Sequence, residues 1–360
     1  MIEILKTTKV YIACPANSAS GGPEFLHQLG HHLINDLNAD AFMYYYNYNS
    51  NKFKTPIHSE YESYKVPYVL EIPKDEDKEE NILIVPEILS GLLLLSKYKS
   101  IRKLVCFLSV DNYYFGRALF RKNVFFFQRA LNKLMKLMHK PLFFDINSQK
   151  NLEKFVKEYD YRSDNLLKLA DFYMMNSYRG LKWFSDLKPM YLLPDCYINS
   201  RFIQESNNID LAKKENVVIF NPKKGYEFTK QIIKFASDIR FIPIENMTRE
   251  QVINTIKIAK VYIDFGNFPG PERIPKEATM LGCCVITGKR GCAEFFEDVP
   301  IPDNYKFEDK EENIPKIVNK IKDCFDNFEE RHKDFNNSRE IIRGGKNRFV
   351  EDLRKIFLKV

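Results

Sequence analysis

The chain has 360 residues, 44% of them apolar, and a formal net charge of +7. That length exceeds what one core usually organises and the apolar fraction is ample for burial, so a two-domain soluble protein is expected. The seven cysteines (Cys14, Cys106, Cys196, Cys283, Cys284, Cys292, Cys324) are scattered without metal-ligand spacing, which excludes a zinc module and reads as reduced core residues of a cytoplasmic protein.

The N-terminal MIEILKTTK leads straight into a strand, so no signal peptide is visible, and LSGLLLLSKY is too short to span a bilayer. VYIAC, residues 10–14, is that first strand. PANSASGGPE follows, and then a helix with Phe25, Leu26, Leu29, Leu33 and Leu37 at helical spacing. Glycine at Gly21 and Gly22 lets backbone N–H groups approach an anion with no Cβ in the way, and the helix dipole adds favourable potential. His27 and His31 share one face of this helix and suit a ligand-lining or core role better than zinc.

Strands are expected near Ala41, Ile82, Lys103 and Asp171, alternating with helices in a doubly wound pattern, with KDEDKEE as an acidic solvated linker. Glu87 in LIVPEILSG and Asp111 in LVCFLSVDNYYFG each stand just past a strand end, suited either to contact a substrate or to cap a helix. Residues 117–140 hold seven basic side chains and no acidic one. As a helix they set Phe127, Leu131, Leu134 and Met138 opposite Arg129, Lys133, Lys136 and Lys140, a pattern of an interfacial helix on anionic lipid or of a surface helix on its own core. No nucleic-acid motif accompanies the patch.

MYLLPDCYIN, around Pro194 and Asp195, reads as the last strand of the first domain entering a hinge. VVIFNPKKG, residues 217–225, then runs from a strand into a loop with Lys223 and Lys224 before a helix near Tyr226. Residues 261–291 give a strand, a Gly/Pro loop, a helix with Pro271 or Pro275 in its first turn and Glu277 one turn inside, an end at Gly282, and another strand. Such a unit puts a loop and a helix N-terminus at the carboxyl edge of a parallel sheet, where α/β proteins bind phosphorylated ligands. Two charged helices, roughly 314–335 and 338–358, close the chain with no further strand expected.

On these motifs the chain resembles the nucleotide-sugar-dependent retaining glycosyltransferases of the GT-B fold, family-four-like enzymes of bacterial capsule and O-antigen synthesis. In that family two glutamates eight positions apart flank a Gly-rich loop and helix start; here Glu277 matches the second, while Pro269 stands at the first and Glu272 and Arg273 are the nearest polar replacements. The resemblance implies two Rossmann-like α/β domains facing each other across a cleft: 1–195 for the acceptor, 196–335 for the nucleotide sugar, and 336–360 as a helix packing back on the first. It implies Gly21 and Gly22 at the donor diphosphate, Lys223, Lys224 and Arg273 neutralising its charge, Glu277 on the ribose, and Asp111 near the acceptor. The implied reaction is transfer from a UDP- or GDP-sugar to a glycan or lipid-linked acceptor with retention, the departing phosphate helping to deprotonate the acceptor, with no metal or cofactor. Cytoplasmic location is implied, with peripheral contact at the inner membrane. A sugar-nucleotide epimerase of the same fold, drawing on Glu87, Asp111 and His27, and a catalytically silent subunit are the alternatives.

Overall fold

Apolar runs without polar alternation, such as Val10 to Cys14, form strands covered on both faces, the mark of a parallel sheet. In the computed structural model, which describes residues 1–121, 131, 133–135, 149–194 and 197–359, these runs build two separate α/β units. The first gathers Met1–Asn176, Gly180–Leu193 and Leu353–Val360; the second gathers Ser177–Arg179 and Pro194–Asp352.

In the first unit β1 (Ile2–Ile4) stands apart from a seven-stranded sheet of β2 (Lys9–Pro15), β3 (Asp40–Tyr46), β4 (Tyr68–Val69), β5 (Ile82–Pro86), β6 (Arg102–Phe107), β7 (Phe172–Met175) and β8 (Met190–Leu192). The order is β4-β3-β2-β5-β6-β7-β8, with every pairing parallel. The chain winds one way from β2 to β4 and the other way from β5 to β8, so the topological switch point lies between β2 and β5. The second unit holds β9 (Glu215–Phe220), β10 (Arg240–Pro243), β11 (Ala259–Asp264) and β12 (Cys284–Thr287) in the order β10-β9-β11-β12, again all parallel. Its switch point lies between β9 and β11.

KDEDKEE joins β4 to β5 at the surface, with Lys74, Asp75 and Glu79 exposed, but it is tied down: the Asp77 carboxylate accepts the N–H groups of Lys99, Ser100 and Ile101 at 2.9, 3.0 and 2.9 Å, while Glu76 pairs with Lys9 at 2.5 Å. One expectation is corrected. The tail is not two helices without a strand. It forms Ile314–Asp326, Phe328–Lys333, Asn336–Arg343 and Gly345–Ile356, broken at Asn327, whose amide bonds Asp323, and at Gly344. It then ends in β13 (Phe357–Lys359), which pairs in parallel with β1 through Ile2↔Phe357 and Ile4↔Lys359.

Arg117, the first residue of the basic run, is a core group. Its guanidinium pairs with the buried Asp164, which also accepts the Tyr113 hydroxyl at 2.7 Å. Of the proposed stripes, Phe127, Arg129, Lys136, Met138 and Lys140 lie outside the described residues, as does Asp195 at the expected hinge; Lys133 and Leu134 are exposed.

The helix Gly21–Asn35 has no side-chain cap at Ser20 and rests on tertiary burial of Phe25, Leu26, Leu29 and Leu33, each contributing roughly 1.5–3 kcal/mol. His27 sits in the same buried face. Its Nδ1 lies 2.6 Å from the Pro23 carbonyl, which can only accept, so Nδ1 carries the proton and Nε2 accepts the Tyr45 hydroxyl at 2.7 Å. Burial pulls the imidazole down from 6.5 to about 4, with the Pro23 bond opposing. The unfolded chain therefore binds this proton more readily than the folded one, and the contribution, complete above pH 6.5, is lost as pH falls toward 4. Urea melts from pH 7.5 to 4.5 should show the native chain losing stability relative to His27→Gln below pH 6.5, at a slope approaching about 1.4 kcal/mol per pH unit.

Candidate functional site

The loops that follow β9 and β11 run side by side at the carboxyl edge of the second sheet, on its switch point, the place where open parallel sheets take ligands. They touch backbone to backbone. Gly225 has φ +59°, and a Cβ built on it would overlap the Phe265 carbonyl; a Cβ on Gly266 would overlap that of Lys224. Asn221 folds the first loop as an Asx turn, its side chain accepting the Lys223 N–H at 3.0 Å. Lys223 is exposed, whereas Lys224 is half-buried and reaches across to pair with Glu272.

Glu272 is the N-cap residue of the helix Arg273–Met280, yet its side chain makes no cap hydrogen bond and is committed to Lys224. Pro275, not Pro271, occupies the first turn. Glu277 follows Arg273 by one turn; burial pushes its carboxyl up, and Arg273 and then Arg249 pull it back. Burial in turn pulls the Arg273 guanidinium down while Glu277 opposes. Lys224, Glu272, Arg273 and Glu277 are thus gathered around one helix start, with Lys223 on the exposed side of the neighbouring loop and Pro269 partly exposed in the loop after β11.

Three acidic or basic residues of this edge carry no advance assignment. Asp264, at the end of β11, accepts the Gly266 N–H at 3.0 Å and the Tyr262 hydroxyl at 2.9 Å, and burial pushes its carboxyl up to about 6. An Asp two residues before a Gly at a strand end is the Asx-turn signal that would have found it. Arg290 pairs with Asp309 and donates to the Phe265 carbonyl at 2.8 Å. Their separation of nineteen positions leaves no local signal.

Gly21, Gly22 and Asp111 belong to the first unit: the glycines open the helix after β2, at the switch point, and Asp111 follows β6, the strand beyond β5. Gly21 has open space around it, whereas a Cβ on Gly22 would come within 3.1 Å of Leu108. The Leu108 N–H is held by the buried carboxylate of Glu87 at 3.0 Å, and burial pushes Glu87 up to about 7. Asp111 is fully buried in the first turn of Val110–Arg121, where Ser109 supplies the side-chain cap by accepting the Asn112 N–H at 3.1 Å. Both ring nitrogens of His27 are engaged inside the unit, so it offers no acid–base group to a substrate. Among the described residues no group of three or more His, Cys, Asp or Glu is disposed to hold a metal ion, and no helix is long and apolar enough to cross a membrane.

No family model matches the chain, and no curated protein matches it in sequence. Among solved structures it is similar to sucrose-phosphate synthase from Thermosynechococcus elongatus, with a TM-score of 0.61 at 12% identity over 97% of this chain and 98% of that one. It is also similar to HepE from Anabaena in complex with UDP-glucose, with a TM-score of 0.52 at 13% identity, and to the lipopolysaccharide outer core galactosyltransferase WaaB, with a TM-score of 0.51 at 12% identity. Each of these two matches covers 97% of this chain and 98% of the other. The likeness shows the fold: the two parallel Rossmann-like units are those of the GT-B architecture.

The glycines of the two edges differ in what they tolerate. Gly225→Ala combines a left-handed backbone with an overlap on Phe265 and should cost about 2 kcal/mol or more in urea unfolding, while Gly21→Ala, with nothing within 4 Å, should change stability by less than about 0.5 kcal/mol.

Proposed function

We propose that the chain is a retaining glycosyltransferase that moves a sugar from a UDP- or GDP-sugar to a glycan or lipid-linked acceptor in bacterial surface-polysaccharide synthesis. The observation that carries this reading is the meeting of the NPKKG and FGNFPGPE loops, with Lys224, Glu272 and the start of Arg273–Met280, on the switch point of the second sheet. A nucleoside diphosphate needs that combination: backbone able to approach it closely, fixed cations, and a helix N-terminus aimed at developing negative charge. The likeness to HepE, whose structure holds UDP-glucose, supports the same class of donor.

In this reading Lys224, with Lys223 and Arg273, neutralises the diphosphate, which replaces Glu272 as the partner of Lys224. Glu277 accepts the ribose hydroxyls from one turn inside the helix, and Glu272, freed from the lysine, faces the sugar in place of the glutamate absent at Pro269. Catalysis is then stabilisation of charge on the leaving diphosphate by side chains rather than by a metal, with that phosphate taking the acceptor proton on the same face. Asp111, whose side chain is fully buried, belongs to the acceptor side as a positioning residue.

Calorimetric titration with UDP and GDP tests the donor site. Lys223→Ala/Lys224→Ala should weaken binding of the accepted nucleotide by ~2–4 kcal/mol, and Glu277→Gln should raise the donor KM more than it lowers kcat. Unchanged nucleotide affinity in the folded double variant removes the lysines from the site, and isomerised rather than transferred sugar from labelled donor points to the epimerase. For a lipid-linked acceptor, the basic stripe predicts salt-sensitive binding to anionic vesicles that is lost when Arg129, Lys133, Lys136 and Lys140 become glutamine. Wild type remaining in the supernatant at low salt would refute the membrane contact.

A further inference from the structure

The loop after β11 is gripped by the turn that follows β12. Gly288 donates its N–H to the Asp264 carbonyl at 2.9 Å, Cys292 donates to the Phe268 carbonyl at 2.8 Å, and residue 291 bridges residue 268 in parallel register. Gly291 has φ +68°, and a Cβ there would overlap the Phe268 carbonyl, so this contact is also backbone to backbone. Among the described side chains, Arg290 adds the grip on the first residue of the loop, donating from Nη2 to the Phe265 carbonyl at 2.8 Å. Asp309 fixes Arg290 from the other side, its carboxylate lying where a Cβ on Gly288 would go.

This ion pair is poorly suited to a purely stabilising role. Arg290 Nε and both Asp309 carboxylate oxygens are shielded from solvent without a hydrogen bond of good geometry, while the Arg290 side chain as a whole is 37% exposed, and an ion pair half open to water adds little stability. What the pair does secure is the Phe265 carbonyl, the atom against which Gly225 packs, and Gly225 and Gly266 set the distance between Lys224 and the helix carrying Glu272 and Glu277.

We propose that Arg290, held by Asp309, is a positioning residue for the nucleotide-diphosphate site, fixing the backbone of the β11 loop so that Lys224 faces the helix start. The inference rests on the donor-site reading above, and two measurements separate the two. Hydrogen exchange of residues 265–270 needs no ligand. In Arg290→Met and Asp309→Asn it should quicken at least ten-fold, with β9 and β12 protected as in wild type. Titration with UDP and GDP should then show about ten-fold weaker binding of whichever nucleotide the wild type takes, and Arg290→Lys, which keeps the pair with Asp309 and one donor, should recover part of it. Unchanged exchange in the loop overturns the clamp, as does faster exchange with unchanged nucleotide affinity. If the wild type binds neither nucleotide while the loop still loosens, the donor-site reading fails and the positioning role falls with it. Should Arg290→Met not fold, Arg290→Lys and Asp309→Asn carry the same comparison.

Discussion

The second unit depends on one close approach, that of Gly225 to Phe265 and Gly266, where two loops of the same sheet edge meet with no side chain between them. Any Cβ at Gly225 would push the loops apart, and the cation and carboxylate they carry would lose their pairing. The residues with visible chemistry, Lys224 and Glu272, are therefore consequences of backbone packing more than causes of it. The backbone of the two loops is thus set by packing alone, and in the donor-site reading only the Lys224–Glu272 pair has to open on binding.

The first unit solves the same problem differently. Its edge is organised by a buried carboxylate, Glu87, which takes the Leu108 N–H, while Gly22 rests against the Leu108 side chain. Nearby, Tyr61 accepts the Ser20 N–H and donates to the Ser20 carbonyl, tying the helix start to a distant turn through one hydroxyl. At this edge the Glu87 carboxylate and the Tyr61 hydroxyl are both spent on backbone groups inside the fold. That explains why the histidine on the first helix, although adjacent to the glycine pair, is absorbed into the core as a neutral ring.

The longer parallel strands were legible as apolar runs, several of them ended by Gly, Pro or Asn as at Pro15, Asn47, Pro86 and Asn221, and the helix carrying Glu277 because Pro275 and Gly282 bracket it, whereas β4 and β10 were not read from the sequence. The placement of Lys224 in the loop after β9 and of Glu277 in the helix after β11 followed from the strand–loop–helix grammar alone. Pairings across long separations were not legible. Nothing local links Arg290 to Asp309 or Arg117 to Asp164, and the acidic run holding Asp77 looked like solvent-facing charge because its three backbone donors lie more than twenty residues away. The final strand was missed for a related reason: Phe357 and Leu358 continue a helical pattern, and only the distant β1 makes them extended.

That last pairing bears on how the protein is made. β1 leaves the ribosome 355 positions ahead of its partner, β13, as the pairing Ile2↔Phe357 shows. The chain passes from the first unit to the second and back twice, at residues 176–180 and again between 193 and 353. The first unit consequently cannot acquire its full set of contacts until the second has been made: its large sheet can assemble from β2 to β8, but Ile2 and Ile4 wait for β13. Emergence of β13, rather than of the first half, is the event that completes it.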